Sequence, residues 1–164
     1  MYFDELDLND YVLDALDDMQ FETCTPIQES CIPHILEGRD ILGVAQTGTG
    51  KTAAYLLPIL SKLADGGYPA DAINCVIMSP TRELAQQIGE VCTAIAASTH
   101  HRILTVVGGL SYDPQIKKLK HGVDILIATP GRLIDLMNQK AVDLSQVQVL
   151  VLDEADRMLD MGFL

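Results

Sequence analysis

Two short stretches of the chain combine residue types that bind phosphate and divalent metal ions. Residues 45–52 read Ala-Gln-Thr-Gly-Thr-Gly-Lys-Thr, a glycine-rich loop with a lysine and a hydroxyl at its end. Residues 153–156 read Asp-Glu-Ala-Asp and directly follow the apolar run Val-Leu-Val-Leu. The loop can hold a triphosphate, and carboxylates at the end of a strand can hold a metal ion and a water molecule. Together they predict a nucleoside triphosphate hydrolase.

The glycines, the lysine and the hydroxyl of the glycine-rich loop each suit phosphate binding for a physical reason. Gly48 and Gly50 allow backbone angles that side chains disfavour, so that successive N–H groups can surround an anion. The helix predicted to begin at about Lys51 adds its positive end, Lys51 would contact the β- and γ-phosphates, and Thr52 would bind Mg²⁺. Ala45 stands where the usual GxxxxGK[ST] pattern begins with glycine. The alternative is a glycine-rich turn that binds nothing.

The two carboxylates after the last apolar run are predicted to divide the hydrolytic chemistry between them. Successive side chains of a strand point to opposite sides, so Asp153 would face the loop and bind Mg²⁺ through water. Glu154, on the turn beyond, would orient and deprotonate the attacking water. The alternative is an acidic helix N-terminus, where carboxylates only complement the helix dipole.

Apolar runs and helical repeats alternate along the whole chain. The predicted strands are continuously apolar, which indicates a parallel sheet with helices on both faces, an α/β fold. Ligands of such sheets bind at the carboxyl ends of the strands, and polar residues follow every predicted strand. Helices are predicted over 11–19 with Asn9 as N-cap, 27–36, 51–63, 83–97, 113–120 and 132–138, and strands over 41–44, 73–78, 103–107, 125–128 and 147–152.

The composition is that of an ordinary globular domain, with acidic residues concentrated near the N-terminus. The chain has 164 residues, 48% of them hydrophobic, and a net charge of −12. Nine of its 23 acidic residues lie in residues 1–30, which contain no Lys or Arg. A local basic groove elsewhere therefore remains possible, although a strongly basic non-specific nucleic-acid binder is excluded. Any RNA contact must be made by a few placed groups.

Targeting and redox signals predict a cytoplasmic protein. No apolar run is long enough for a transmembrane helix, and no signal peptide is visible at the N-terminus, so no membrane partner is expected. The four cysteines lack metal-site spacing and are predicted to be reduced thiols: Cys24, Cys31, Cys75 and Cys92.

Further motifs make the chain resemble the first RecA-like domain of a DEAD-box RNA helicase. The resemblance implies a P-loop NTPase that uses ATP or ADP with Mg²⁺ and contacts the RNA backbone without reading sequence. It covers nearly the whole chain, with residues 1–38 carrying acidic helices and a segment similar to the family's adenine-reading Q motif. Beside the loop and Asp-Glu-Ala-Asp, the motifs are Thr25-Pro26-Ile27-Gln28, Pro80-Thr81-Arg82-Glu83-Leu84, Gly108-Gly109 and Thr129-Pro130-Gly131-Arg132.

The resemblance assigns the nucleotide to one group of residues. Gln28 would hydrogen-bond the adenine edge and Phe21 would stack on the ring; the alternatives are a helix-surface glutamine and a core aromatic. The chain departs from the family at Gln20, where glycine is usual, and at Cys24, where proline is common. The remaining nucleotide contacts would come from Thr47, Gly48, Thr49, Gly50, Lys51 and Thr52.

The resemblance assigns RNA to loops at one end of the sheet. Hydroxyls, guanidinium groups and loop N–H groups bind phosphates without sequence information. The alternatives are a tight turn for the glycine pair, an N-cap for Thr129 and a surface charge for Arg82. Lys117, Lys118 and Lys120 are interpreted as a solvated helix face, and no histidine is assigned chemistry. The implied RNA contacts are Thr81, Arg82, Gly108, Gly109, Thr129 and Arg132.

The resemblance also implies that residues 1–164 are one N-terminal domain, incomplete at its C-terminus. Asp156 would couple it to a second RecA-like domain, which in the family supplies an arginine finger. An arginine finger contributes about 10³–10⁵ in rate, so we expect this chain alone to bind nucleotide weakly and hydrolyse almost none. Protein cofactors are not predictable. The alternatives are a related DNA helicase domain and a non-catalytic RNA- or partner-binding fragment that retains the motifs.

Overall fold

The computed structural model describes residues 1–42 and 49–162, which form two compact units. The first unit contains Met1–Gly67 and Val91–His100, and the second contains Tyr68–Glu90 and the residues from His101 onward. Two of the predicted strand residues, Ile41 and Leu42, are not in a strand, and the other two lie outside the described residues.

The first unit is helical. A 3-10 turn at Phe3–Glu5 precedes helices α1 (Asp10–Asp18), α2 (Pro26–Leu36) and α3 (Thr49–Asp65). Asn9 caps α1 by accepting a hydrogen bond from the Tyr11 N–H, as predicted, and its own N–H donates to the buried Ser61 hydroxyl at 2.7 Å. The unit is held by an apolar core at helical spacing, which includes Val12, Leu16, Ile32, Leu56, Leu57 and Leu60.

The second unit contains a four-stranded parallel sheet with strand order β2-β3-β1-β4. The strands are β1 (Cys75–Met78), β2 (Ile103–Val106), β3 (Ile125–Ala128) and β4 (Val149–Leu152). All four residues of β3 are buried, which explains its uninterrupted apolar sequence. The predicted α/β class and parallel sheet are therefore confirmed.

The remaining helices connect these strands. They are α4 (Arg82–Ala96), α5 (Tyr112–His121), α6 (Pro130–Asn138) and α7 (Ala155–Asp160). Residues of α5 and α6 pack against the sheet in one apolar cluster with Val76, Leu104 and Leu126. The sequence patterns located α4, α5 and α6 to within two residues at each end, but α7 was missed because its six residues hold too few apolar positions to establish a period.

Among the described residues, no cysteine is part of a disulfide. Cys31, Cys75 and Cys92 are buried. Burial raises the pKa of the Cys92 thiol to about 12, so that it stays protonated and unreactive at neutral pH. Among the described residues, no helix has the length and apolarity needed to cross a membrane.

Candidate nucleotide site and nucleic-acid interface

Gln28 connects the start of α2 to the first turn of α3. Thr25 and Gln28 form a capping box, in which the Thr25 N–H donates to Gln28 Oε1 at 2.9 Å. The Gln28 side-chain nitrogen donates to the Gly50 carbonyl at 3.1 Å, and the side chain is only 4% exposed. Gln28 is therefore not a helix-surface glutamine. Among the described residues, its second amide hydrogen makes no further hydrogen bond and can serve a ligand.

Gln20 and Phe21 form the C-terminal end of α1. The Gln20 N–H donates to the Asp17 carbonyl and the Phe21 N–H to the Leu16 carbonyl, which is the Schellman arrangement. This arrangement needs a left-handed residue at position 20, and Gln20 has a φ of 61°. Glycine would meet this need at no steric cost. Phe21 is 39% exposed, so it is not a core aromatic.

Lys51 and Thr52 lie in the first turn of α3, which begins at Thr49. Both side chains are half-buried. A Cβ added to Gly50 would lie 3.5 Å from Thr25 Cγ2 and 3.9 Å from Gln28 Nε2, so the start of α2 approaches this turn closely. Thr47 and Gly48, the other predicted phosphate contacts, lie outside the described residues.

Asp153 and Glu154 follow β4 in the second unit, whereas Lys51 and Thr52 belong to the first. Asp153 is 8% exposed, and its N–H donates to the Met78 carbonyl at 2.9 Å, which extends the β1–β4 ladder by one residue. Glu154 precedes α7 with φ 55° and ψ 50°, a left-handed conformation that is uncommon for a glutamate. Asp156 is exposed on α7.

Thr81, Arg82 and the glycine pair lie at the carboxyl ends of β1 and β2. The Thr81 hydroxyl accepts a hydrogen bond from the Leu84 N–H at 3.3 Å and so caps α4. Arg82 is exposed, and its Nη1 is 3.2 Å from the position that a Cβ on Gly109 would occupy. Gly109 has a φ of 82° and Gly108 is exposed, so this loop is open to a ligand.

Thr129 and Arg132 lie at the start of α6, beyond β3. Thr129 occupies the N-cap position, but its side chain makes no capping hydrogen bond. Arg132 is only 6% exposed. Its guanidinium donates to Gln115 Oε1 and to the Leu110 carbonyl, each at 2.9 Å, and its Cζ lies 3.8 Å from the centre of the Tyr112 ring. The structure thus brings five of the six predicted RNA residues to exposed or half-buried loop and helix-end positions and buries the sixth.

Gln115 and Tyr112 are residues of this region that the motifs did not identify. The Gln115 side-chain nitrogen donates to the Val107 carbonyl at 3.3 Å, and the Tyr112 hydroxyl donates to Asp135 at 2.8 Å. Tyr112, Ile116 and Leu119 form the apolar stripe of α5 at spacings of four and three. A glutamine beside that stripe is the sequence signal that could have indicated a buried polar partner.

Among the described residues, the first unit contains a held amide beside a helix N-terminus, and the second unit contains a buried carboxylate after a strand and exposed loop groups. An amide and an aromatic ring can recognise a base, and a helix N-terminus with a lysine can hold phosphates. A buried carboxylate suits a cation, and a glycine loop beside an exposed arginine suits a phosphodiester backbone.

Comparison with known proteins places these features in one family. The family model described as DEAD/DEAH box helicase matches residues 25–164. The chain is 44% identical to the ATP-dependent RNA helicase DeaD of Haemophilus influenzae, over 99% of this chain and 26% of that protein. It is 46% identical to the DEAD-box ATP-dependent RNA helicase CshA of Bacillus cereus, over 99% of this chain and 30% of that protein.

A third relative and a solved structure agree with this placement. The ATP-dependent RNA helicase DeaD of Escherichia coli is 48% identical over 99% of this chain and 25% of its own length. A crystal structure of a hypothetical ATP-dependent RNA helicase from Sulfolobus tokodaii matches 95% of this chain and 44% of that chain, with a TM-score of 0.85 and 36% identity. The chain therefore spans about a quarter to a third of these curated relatives' length. With its RecA-like α/β fold, it belongs to the DEAD/DEAH box helicase family and is a DEAD-box RNA helicase domain.

Proposed function

We propose that this chain is the ATP-binding N-terminal domain of a cytoplasmic RNA helicase. The whole protein would couple RNA-dependent ATP hydrolysis to local duplex unwinding or remodelling of RNA–protein complexes. The observation that carries the proposal is the set of relatives: proteins from three bacteria, each named as an ATP-dependent RNA helicase, align with 99% of this chain. The geometry of Gln28 supports an adenine nucleotide as the ligand.

Adenine would be recognised by Gln28 and Phe21. Gln28 is already fixed by hydrogen bonds to Thr25 and Gly50, so little side-chain entropy is lost when it binds a base. The second amide hydrogen and a lone pair on its oxygen can face adenine N7 and N6 together. The exposed Phe21 ring provides a stacking surface. Because Gln28 also contacts the carbonyl of Gly50, base recognition and the phosphate-binding turn would be coupled.

The phosphates would be held by backbone and side chains at the start of α3. Thr47, Gly48, Thr49 and Gly50 would supply N–H groups, and Lys51 would neutralise the β- and γ-phosphates. The positive end of α3, a helix of 17 residues, adds to the attraction.

Mg²⁺ would be bound by Thr52 directly and by Asp153 through water. The donor set fits a hard cation, because it consists of a hydroxyl and a carboxylate. Bound Mg²⁺ would neutralise charge on the phosphate oxygens.

Glu154 would orient the attacking water and accept its proton. Its left-handed backbone is an unusual conformation of the kind that is common at active sites, where the surrounding structure holds a side chain in place. Asp156, in the first turn of α7, would couple the nucleotide to a second RecA-like domain.

RNA would bind along the carboxyl ends of the strands through its backbone. Arg82 and Thr81 would contact phosphates, Gly108 and Gly109 would let the backbone approach closely, and Thr129 would donate its hydroxyl. Recognition would be independent of sequence, because contacts to phosphate and sugar carry no information about the bases.

Titration calorimetry with Mg-ADP tests the nucleotide site. We expect saturable binding that is lost in Lys51→Ala and Gln28→Ala, with GDP ignored, because the mutations remove the phosphate charge partner and the adenine contact. Gln87→Ala, at an exposed position on α4, is the matched control and should bind normally. Equal affinity for GDP, or normal binding by Gln28→Ala, would contradict adenine recognition. Competition between RNA and DNA oligonucleotides tests the proposed substrate.

A further inference from the structure

Hydrogen bonds from two helices hold both ends of the loop at residues 107–110. Arg132 on α6 donates to the Leu110 carbonyl at 2.9 Å, and Gln115 on α5 donates to the Val107 carbonyl at 3.3 Å. The two side chains are joined to each other by the 2.9 Å bond from Arg132 Nη1 to Gln115 Oε1. The glycine pair lies between the two held carbonyls. Because glycines restrict the backbone least, such a loop depends on outside contacts for its shape.

The Arg132 guanidinium is enclosed by protein and is not placed to meet an RNA phosphate. Its Nε is buried and has no hydrogen-bond partner among the described residues, and the whole residue is 6% exposed. A phosphate would have to displace the Gln115 or Leu110 bond to reach it. Arg82 differs, because it is exposed and its Nη1 lies beside Gly109.

Tyr112 and Asp135 fix the orientation of this guanidinium. The Tyr112 ring lies against its face, 3.8 Å from Cζ to the ring centre, which favours a desolvated cation. The Tyr112 hydroxyl donates to Asp135 Oδ2 at 2.8 Å, one turn after Arg132 on the same helix. The Tyr112 ring is thereby connected to both α5 and α6. The planar guanidinium bonds two acceptors from fixed positions while it stacks on the ring, a geometry that an ammonium group does not provide.

We propose that Arg132 and Gln115 are positioning residues that hold the Gly108–Gly109 loop in the shape that receives RNA, and that Arg132 does not contact the RNA itself. The inference rests on the proposed RNA-binding function of this loop. The resemblance implied that Arg132, in the motif Thr-Pro-Gly-Arg, contacts RNA, and the inference replaces that contact with a positioning role. It gives the same role to Gln115, which cannot touch RNA from its buried position.

The first arm of the test needs no RNA. Amide hydrogen exchange of residues 108–110 is compared in the wild-type chain, Arg132→Met, Gln115→Met and the exposed control Gln87→Met. We expect faster exchange in the loop of both buried variants, unchanged exchange in β2 and β3, and no change in the control. Arg132→Lys and Gln115→Glu serve if the methionine variants unfold, since Gln115→Glu keeps the acceptor for Arg132 and loses the donor to Val107. Unchanged loop exchange in folded variants would overturn the proposal.

The second arm measures binding of a short fluorescent oligouridine by the whole protein over a series of KCl concentrations. Arg132→Met and Gln115→Met should each weaken binding about tenfold, and the double variant should be no weaker than either, because each frees the same loop. Their plots of log affinity against log salt should stay parallel to the wild type. Arg82→Gln should instead reduce the slope by about 0.7, the value for one phosphate contact with a single strand.

Each result has a definite meaning. A reduced slope in Arg132→Met, with normal binding by Gln115→Met, would show a direct phosphate contact and overturn the inference. A wild-type protein that binds no RNA would contradict the proposed function, and the exchange arm would still decide whether the two residues hold the loop.

Discussion

Single residues of this chain occupy backbone conformations that suit glycine better, and one of them, Glu154, is at a predicted functional position. Gln20 ends α1 with a φ of 61°, and Glu154 begins α7 with a φ of 55°. A left-handed conformation costs a residue with a Cβ roughly 1–2 kcal/mol. At Glu154 the proposed chemistry accounts for that cost, since the carboxylate is needed. At Gln20 no hydrogen bond or ion pair of the side chain with the described residues accounts for it.

Gln20→Gly is therefore expected to stabilise the first unit. The Schellman hydrogen bonds from residues 20 and 21 would stay, and the Cβ strain would be removed, so the free energy of unfolding should rise by about 1 kcal/mol. Chemical denaturation measures the change. Gln20→Ala keeps the Cβ and should give no gain, and Gln87→Gly, within α4, should lose about 1 kcal/mol. Equal effects of glycine and alanine at position 20 would contradict the strain argument.

At the scale of elements, α4 and β2 approach each other closely at Gly89. A Cβ built on Gly89 would overlap the Thr105 hydroxyl oxygen and contact Ile127 Cδ1 at 3.9 Å. The glycine is inside a helix, where alanine would normally be preferred. Close packing of α4 on β2 thus explains why position 89 is a glycine.

Gly89→Ala should destabilise the protein by about 1–3 kcal/mol, because the added methyl group forces the helix from the sheet. Thermal and urea unfolding give the value. Gly131→Ala, also in a helix but with no atom within 4 Å of the added Cβ, should be neutral or slightly stabilising. Thr105→Ala should rescue Gly89→Ala if the hydroxyl is the obstacle; failure of that rescue would place the clash elsewhere.

An ion pair joins the residues that precede the amino-terminal ends of β2 and β3. Arg102 donates to Asp124 through its backbone N–H at 2.7 Å and through its guanidinium at 3.0 and 3.2 Å. Burial alone would raise the pKa of Asp124, but the hydrogen bonds from Arg102 outweigh it and the pKa is lowered. The carboxylate therefore stabilises the fold above its unfolded pKa of about 3.9, and that stabilisation is lost as the pH falls through the lower folded pKa.

Asp124→Asn is expected to cost about 1–2 kcal/mol at neutral pH, a value reduced by the partial exposure of Arg102. Stability curves of the variant and wild type should converge as the pH is lowered from 5 toward 2, because both side chains are then neutral. Asp14→Asn, an exposed position on α1, should leave the wild-type curve almost unchanged. A difference that persists in acid would show that the ion pair is not its source.

Across the whole molecule, the sequence predicted periodic and motif-bearing features better than contacts that join distant segments. Helix and strand periods located β3 to the residue and α4 within one, and the motif set identified the family. The sequence did not reveal that Arg132 is buried, because its hydrogen-bond partners Gln115 and Leu110 are far from it in the chain. Nor did it reveal the short α7 or the ion pair of Arg102, whose partner lies 22 residues away.

The assignments of the nucleotide and the second domain lead to a prediction for the whole protein. The chain aligns with 25–30% of its curated relatives' length, and we propose that the arginine finger comes from a second RecA-like domain. Steady-state hydrolysis of ATP by this chain alone should then be slower than that of the whole protein with RNA by about 10³–10⁵, although both bind Mg-ADP. Glu154→Gln in the whole protein should reduce its rate toward that of the chain while ADP binding persists, since the water-activating group is lost and the phosphate contacts remain. A chain that alone hydrolyses ATP at nearly the rate of the whole protein would show that these residues need no group from outside.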